Sequence, residues 1–342
     1  VILTIYPVEN RGTMMGTYGL ATTAAPIVAP TIAGLLIDAF GWKSIFYVVL
    51  VIMVISFVLS SIVFENVLEL QDKKFDVLSF IESIIAFGGI TLGIGNISSF
   101  GLISVEAGLP LVAGAVVCVS FVVRQCSLEK PFLDVKILRN WNYAVSVIAS
   151  MVLYLVMMGS SVMMPLYVQS VMGYSAVTSG LVTLPGSFAT AVVSPFAGKI
   201  YDKMGIKRLF VAGSAALLIS NIGMYFLSLS TPLWVAAALN VIRNISIGSL
   251  MMPLLTWGTS NVAPQKVADA SSLLSSFRTI AGSIGSAVFV GIMTVVSAAS
   301  ASTYGERAMI HGMNISFLCM AGGTLVLLLI SIFAVRKKQS MK

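Results

Sequence analysis

An arginine inside a long apolar run is the residue most able to do chemistry. Arg243 lies midway along that run, on one helical face with Asn240 and Asn244. If the run crosses a bilayer, a charge at that depth costs ~2.5 kcal/mol or more, and such residues usually face a bundle interior or an aqueous cavity. Two interpretations stay open: Arg243 lines or pairs across a solute cavity, or it donates hydrogen bonds to carbonyl groups of a neighbouring helix.

A second apolar run offers side chains suited to an adaptable pocket. Tyr154 and Met157 share a rough face there with several serines. Methionine is flexible and polarisable, so it can line a pocket that accepts varied apolar ligands. Filling of a protein core is the alternative for Met157.

A short turn carries charges of both signs between two glycines. It contains Gly198, Asp202, Gly205, Lys207 and Arg208. Exposed ion pairs alone contribute only ~0–1 kcal/mol, so a charge-based gate here would need a network that includes the dipole of a helix. The alternative is a solvated turn, in which the small residue, Asp and Gly serve only to reverse the chain.

Signatures of catalysis and metal binding are missing from the sequence. There is no phosphate-binding glycine loop. The single histidine, His311, has no partner motif, and Cys118, Cys126 and Cys319 fit no metal-ligand spacing. We therefore predict that the chain is not an enzyme and holds no metal or cofactor, apart from a proton as coupling ion.

The elements that position these residues are long apolar helices. Hydrophobic residues make up 58% of the 342 and charged residues only 10%, whereas a soluble domain carries roughly a quarter charged residues. A helix that crosses a bilayer needs about 20 mostly apolar residues, and continuous runs exclude barrel strands. The sequence predicts an all-α polytopic membrane protein with ten spans: 14–37, 45–64, 79–100, 107–124, 142–166, 177–198, 208–229, 232–257, 271–298 and 314–335.

Positive charge sets the predicted orientation. With both ends in the cytoplasm, the cytoplasmic side holds seventeen of the twenty Lys and Arg residues, including Arg278. The opposite side holds only Lys43 and Arg307, with Arg243 inside a span. This asymmetry follows the positive-inside rule and predicts a multi-pass protein of the cytoplasmic membrane. The same bias accounts for the net charge of +7, so we expect no nucleic-acid binding.

Two charged connections divide the chain. We predict the end of one helical bundle at 1–64, a linker and a separate helix pair at 65–124, a cytoplasmic amphipathic linker at 125–141, and a six-helix bundle with a basic tail at 142–342. Apolar residues in the second linker predict a short helix lying on the membrane surface; these are Leu128, Phe132, Leu133, Ile137 and Leu138.

Two segments of the chain echo each other. Residues 33–46 align without gaps on 197–210, with Ala, Gly, Asp, Gly, Lys and Phe coinciding. In the predicted topology the two copies lie on opposite sides of the membrane, as in the inverted repeats of secondary transporters. Convergent turn chemistry is the alternative.

Small residues in the first span resemble a known motif. Gly16, Ala25, Ala29, Pro30, Ala33 and Gly34 have a spacing similar to the antiporter motif in the fifth span of major facilitator superfamily exporters, with alanine at three of the glycine positions. Small side chains let helices approach closely, and proline favours bends.

Further segments resemble the same superfamily. The turn from Gly198 to Arg208 is similar to the second copy of its conserved cytoplasmic loop, in which acid and base form a charge relay with a neighbouring helix end and lock the outward-open state. With the segments 7–16, 131–140 and 165–185 and the extra central pair, the chain resembles fourteen-span drug:proton antiporters of the EmrB and QacA type, which include lincomycin-resistance exporters. This resemblance implies four further spans upstream of Val1.

The resemblance implies proton-coupled efflux of amphipathic, often cationic drugs by alternating access. It implies a monomer with a small-molecule substrate and the lipid bilayer as its partners, joined by an adaptor or outer-membrane partner in a Gram-negative cell. A transporter of a specific metabolite or peptide is the first alternative. A membrane sensor without transport activity is the second.

Overall fold

The computed structural model describes residues 6–7, 10–63, 76–101, 104–128, 131, 133–260, 262–263 and 266–335. The side chains of residues 20–31, 38 and 98–99 are outside that description. The described chain is all α-helical, as predicted. Its ten main helices are α1 Arg11–Phe40, α2 Lys43–Val63, α3 Val77–Phe100, α4 Val105–Ser127, α5 Trp141–Leu166, α6 Ala176–Met204, α7 Ile206–Tyr225, α8 Leu233–Ser260, α9 Val267–Ala299 and α10 Ala308–Leu329.

Nine of these helices, α2 to α10, are long and apolar enough within the described residues to cross a membrane. The remaining predicted span, 14–37, falls inside α1, a single helix of 30 residues. Most of the side chains in the middle of α1 are outside the described set, so its hydropathy as a span stays a prediction. The lipid-facing character of the surface is clearest in α2, where no residue is buried.

Helices α1 and α6 lie antiparallel and in close contact. A Cβ added at Gly198 of α6 would collide with the Gly12 carbonyl of α1, and one at Gly34 would lie 3.2 Å from the Val177 backbone. Each of these two glycines belongs to one copy of the sequence echo, near the C-terminal end of its helix, and contacts the N-terminal end of the other. The pairing thus has the two-fold relation that an inverted repeat requires.

The two copies of the echo also end their helices in the same way. Gly41 has φ 79° and donates its N–H to the Ile37 carbonyl, and Gly205 has φ 73° and donates to the Tyr201 carbonyl, both at 2.9 Å. A positive φ at this position favours glycine because it lacks a Cβ. The two copies therefore share both the turn at the helix end and the two-fold contact between α1 and α6.

The linker after α4 differs from the predicted amphipathic surface helix. Residues Val135–Arg139 form one 3₁₀ turn, and Leu133, Val135 and Ile137 are buried among side chains of α4, α5 and α9. The Asp134 carboxylate accepts a hydrogen bond of 2.6 Å from the ammonium group of Lys266, just before α9. This ion pair raises the pKa of Lys266. The buried apolar residues of the linker pack against other helices of the protein. The described part of this linker therefore crosses the ends of those helices as a strap.

Candidate functional site

The acid of the charged turn caps a distant helix. Asp202 accepts hydrogen bonds from the backbone N–H groups of Gly12 and Thr13 at 3.0 and 2.8 Å, and from the Thr13 hydroxyl at 2.7 Å. These N–H groups belong to the first turn of α1, where Asn10 provides no side-chain cap and no acid is present. The carboxylate of α6 therefore satisfies the N-terminus of α1 and complements its dipole.

Small residues make this contact possible. Gly12 and Gly198 lie against each other, and a Cβ on Gly12 would collide with the Asp202 carboxylate. One turn further along, a Cβ on Gly16 would lie 2.8 Å from the Ser194 carbonyl, and the Ser194 hydroxyl donates to the Gly16 carbonyl at 3.3 Å. The glycines of α1 thus hold two helices together at the distance that the Asp202 cap needs.

The basic residues of the turn lie elsewhere. Lys207 donates to the Ile332 carbonyl at 3.2 Å, within the short helical segment Ile330–Ala334 that follows α10. Arg208 is exposed. Among the described residues no ion pair joins either base to Asp202. The structure therefore shows the acid on the N-terminus of α1 and Lys207 on a backbone carbonyl of another helix. The charge relay implied by the resemblance stays a prediction.

The predicted antiporter-motif helix meets α6 along its length. Gly16 and Gly34 both face that helix, and Ala33 is half-buried. Ala25, Ala29 and Pro30 lie within α1, which stays helical through them. Nothing is described of their side chains.

Arg243 lies in a buried polar cluster inside the bundle. It is only 3% exposed, donates to the Asn240 side-chain carbonyl, and lies 3.3 Å from the Met224 sulfur. Its Nε finds no partner among the described residues. Asn244 donates to the Asn240 backbone carbonyl at 2.8 Å, and the Thr190 hydroxyl donates to the Asn244 carbonyl at 3.0 Å.

The cluster connects three helices and contains a charge that has no carboxylate partner among the described residues. The cluster residues of α8 contact Thr190 of α6 and Met224 of α7. One turn before Met224, Asn221 is fully buried, and its amide has no hydrogen-bond partner in the described chain. A buried charge and a buried amide without partners are costly. Both predicted roles of Arg243, in a cavity and in helix contacts, remain compatible with this arrangement.

Arg278 corrects the sequence analysis. The charge pattern counts it among the residues of the cytoplasmic side, but it is 4% exposed and lies in the bundle. It donates to the Met251 carbonyl at 2.6 Å and to the Ser150 hydroxyl at 3.3 Å, and its guanidinium lies 5.1 Å from the centre of the Tyr154 ring. The predicted span 271–298 already contains Arg278, and α9, which begins at Val267, places it about three turns inside. Its burial follows from packing against α5 and α8, which the sequence does not show.

The predicted pocket residues of α5 separate. Tyr154 stacks with Arg278, whereas Met157 packs against the core cluster around Leu153. The methionine beside Tyr154 is Met158, whose side chain approaches Gly282 of α9. In the sequence, Arg278 stands out only as an arginine that follows several serines, and nothing there indicates that Tyr154 lies beside it.

The fold and these sites define a polytopic membrane protein whose polar groups lie between helices. In the described residues no three His, Cys, Asp or Glu side chains come together as a metal site would require. A sequence profile of the Major Facilitator Superfamily matches residues 1–286. The chain therefore belongs to this superfamily of membrane transporters.

Curated relatives cover nearly the whole chain. It is 32% identical over 339 residues to the uncharacterized MFS-type transporter YcnB of Bacillus subtilis, covering 99% of this chain and 72% of YcnB. It is 32% identical over 297 residues to the lincomycin resistance protein LmrB of the same species, covering 85% of this chain and 61% of LmrB. The riboflavin transporter RibZ of Clostridioides difficile is 24% identical, with 98% and 73% covered.

A solved structure shares the fold. A bacterial homologue of the human lysosomal transporter Spinster, in an inward-facing and occupied conformation, matches with a TM-score of 0.50 at 15% identity, over 74% of this chain and 66% of that chain. At this identity the likeness concerns the arrangement of helices alone.

Proposed function

We propose that the protein exports amphipathic drugs or other small toxic solutes across the cytoplasmic membrane, coupled to inward proton flow, by alternating access. We place it in the fourteen-span drug:proton antiporter branch, with both ends of this chain in the cytoplasm. Relatives named for lincomycin resistance and multidrug resistance support this substrate class.

The observation that carries the proposal is the Asp202 cap on α1. In alternating access, two groups of helices rock against each other and must hold each end state closed by contacts that can break. Three hydrogen bonds to a carboxylate, one helix dipole and two facing glycines form such a contact at one end of the α1–α6 pair. This contact between Asp202 and the N-terminus of α1, called the lock below, holds the predicted cytoplasmic side closed and opens when the two helices part.

Efflux by cells that carry the complete gene tests the proposal. We expect lower accumulation of a fluorescent cationic dye such as ethidium, and restored accumulation after addition of a protonophore. Cells carrying the Asp202→Asn variant, with equal protein in the membrane, serve as the mechanistic control. Dye accumulation equal to that of cells without the gene would refute drug export.

A second candidate is a proton-coupled transporter of one specific metabolite. The similarity to RibZ, named as a riboflavin transporter, favours it. Uptake or release of riboflavin by the same cells, without any change in dye accumulation, would select this alternative.

A further inference from the structure

The central helix pair, α3 and α4, carries a charged groove that the transport cycle described above does not use. The groove has a volume of about 480 Å³. Its lining residues are Glu82, Ser120, Val123, Arg124, Ser127 and Leu128. Ser120 and Val123 are exposed, so the groove opens to the outside of the bundle at the ends of the pair that we predict to be cytoplasmic.

Glu82 is the unsatisfied group in this groove. One of its carboxylate oxygens accepts a hydrogen bond from the Ser120 hydroxyl at 3.0 Å. The other is shielded from solvent and has no hydrogen-bond partner in the described residues. Glu82 is half-buried and lines the groove with this carboxylate, so the groove favours a ligand that brings positive charge.

The nearby arginine does not neutralise Glu82. The Nη2 of Arg124 lies 3.1 Å from both carboxylate oxygens of Asp76, and its Nε donates to the Ser79 hydroxyl at 3.1 Å. Asp76, beside the groove, thus neutralises Arg124, and the described residues contain no cation paired with Glu82. A zwitterionic lipid headgroup would also need a free cationic side chain to bind its phosphate. An organic cation would need only the Glu82 carboxylate.

The pair is built as a rigid support for this groove. A Cβ on Gly89 would lie 2.7 Å from the Pro110 carbonyl and 2.9 Å from Gly114. Backbones at this distance leave no room for the two helices to shift against each other. The two helices are thus closely packed about two turns from Glu82 and Ser120, which are joined by their 3.0 Å hydrogen bond.

We propose that this groove is a recruitment site for amphipathic organic cations, which reach it from the inner leaflet. The cationic group lies against Glu82, and the apolar body rests on Val123 and Leu128. The inference rests on the proposed function, because such cations are the expected substrates. It assigns a substrate-gathering role to the central helix pair.

The test uses full-length protein from the complete gene, in lipid nanodiscs, with Ser127→Cys as reporter and the natural cysteines replaced by serine. Tetraphenylphosphonium should slow maleimide labelling of the reporter, and the neutral triphenylphosphine oxide should not. Glu82→Gln should raise the half-protecting concentration about fivefold, the size expected for one partly exposed ion pair. Glu106→Gln, at the opposite end of the pair, is the matched control and should leave it unchanged.

Three outcomes would overturn the site: equal protection in the Glu82→Gln and Glu106→Gln variants, equal protection by the neutral compound, or protection by phosphatidylethanolamine nanodiscs without added cation. The last would mean that a lipid ammonium group occupies the groove. The dye-efflux assay separates this inference from the proposed function. Protection that depends on Glu82, in a protein without drug efflux, would refute the function and retain the site.

Discussion

Asp202 and Thr13, 189 residues apart, share two hydrogen bonds, one to the Thr13 backbone N–H and one to its hydroxyl. The side chain of one helix thereby takes the capping role at the start of another. A cap of this kind forms only while α1 and α6 stay together, so it connects a local bond to the global conformation.

Weakening this cap should open the predicted cytoplasmic end. Asp202→Asn keeps an oxygen acceptor but loses the charge, which should shift the equilibrium by about 1 kcal/mol, or roughly fivefold. A Ser194→Cys reporter, buried against Gly16 in the native contact, should then react faster with a membrane-impermeant thiol reagent. Lys203→Gln, an exposed neighbour of Asp202, is the control, and unchanged labelling in Asp202→Asn would contradict the lock.

The close contact between α1 and α6 should not tolerate an added methyl group at Gly198. Gly198→Ala would place a Cβ against the Gly12 carbonyl, and overpacking of this kind costs about 1–3 kcal/mol. We expect a lower temperature of unfolding and reduced efflux. Gly322→Ala, in a helix position with open space around it, should leave both quantities near those of the native protein. If the two variants behave alike, the contact has no energetic role.

Arg278 should depend on its planar guanidinium. Arg278→Lys keeps the charge but cannot reach the Met251 carbonyl and stack on Tyr154 together. We expect a loss of about 1.5–3 kcal/mol in stability, the size of a hydrogen bond from a charged group. Tyr154→Phe keeps the aromatic face and should be close to native, whereas Tyr154→Leu should lose part of the stacking energy. Thermal unfolding of purified protein measures each change, and a native-like Arg278→Lys would argue against the pair.

Acid should weaken the central helix pair through Asp76. Hydrogen bonds from Ser79 and Arg124 lower the pKa of Asp76 from 3.8 to about 2. A lowered pKa means that the folded state favours the charged form, so this contribution is present above the unfolded pKa and is lost as pH falls towards about 2. The native protein should thus lose stability between about pH 4 and 2, and Asp76→Asn should lose less over that interval. Unfolding in detergent across these pH values measures the difference, and equal slopes would contradict it.

The predicted orientation can be measured with single cysteines. Lys203→Cys should react with an impermeant reagent only in inside-out vesicles, and Arg307→Cys only in right-side-out cells, because the basic connections stay in the cytoplasm. Labelling of position 203 from outside intact cells would reverse the topology.

Several structural features could be predicted from the sequence. A long apolar run satisfies its backbone in lipid by forming a helix, so the existence and approximate position of these helices were predictable. The turns at Gly41 and Gly205 were also predictable, because a positive φ has few alternatives to glycine. The helix ends were less accurate, with differences of about six residues in α6 and α10. The burial of Arg278 was not predictable, because it depends on contacts with α5 and α8.

Hydropathy and local turn chemistry act along the chain, and they determined the helices of the described residues and the turns of the two echoing segments. Which side chains meet was decided only by tertiary structure. Asp202 could not be matched with Thr13, Arg278 with Tyr154, or the linker with its buried surface, because those contacts depend on the packing of helices far apart in the sequence. The helices are specified residue by residue, whereas the lock and the buried arginines exist only where several helices come together.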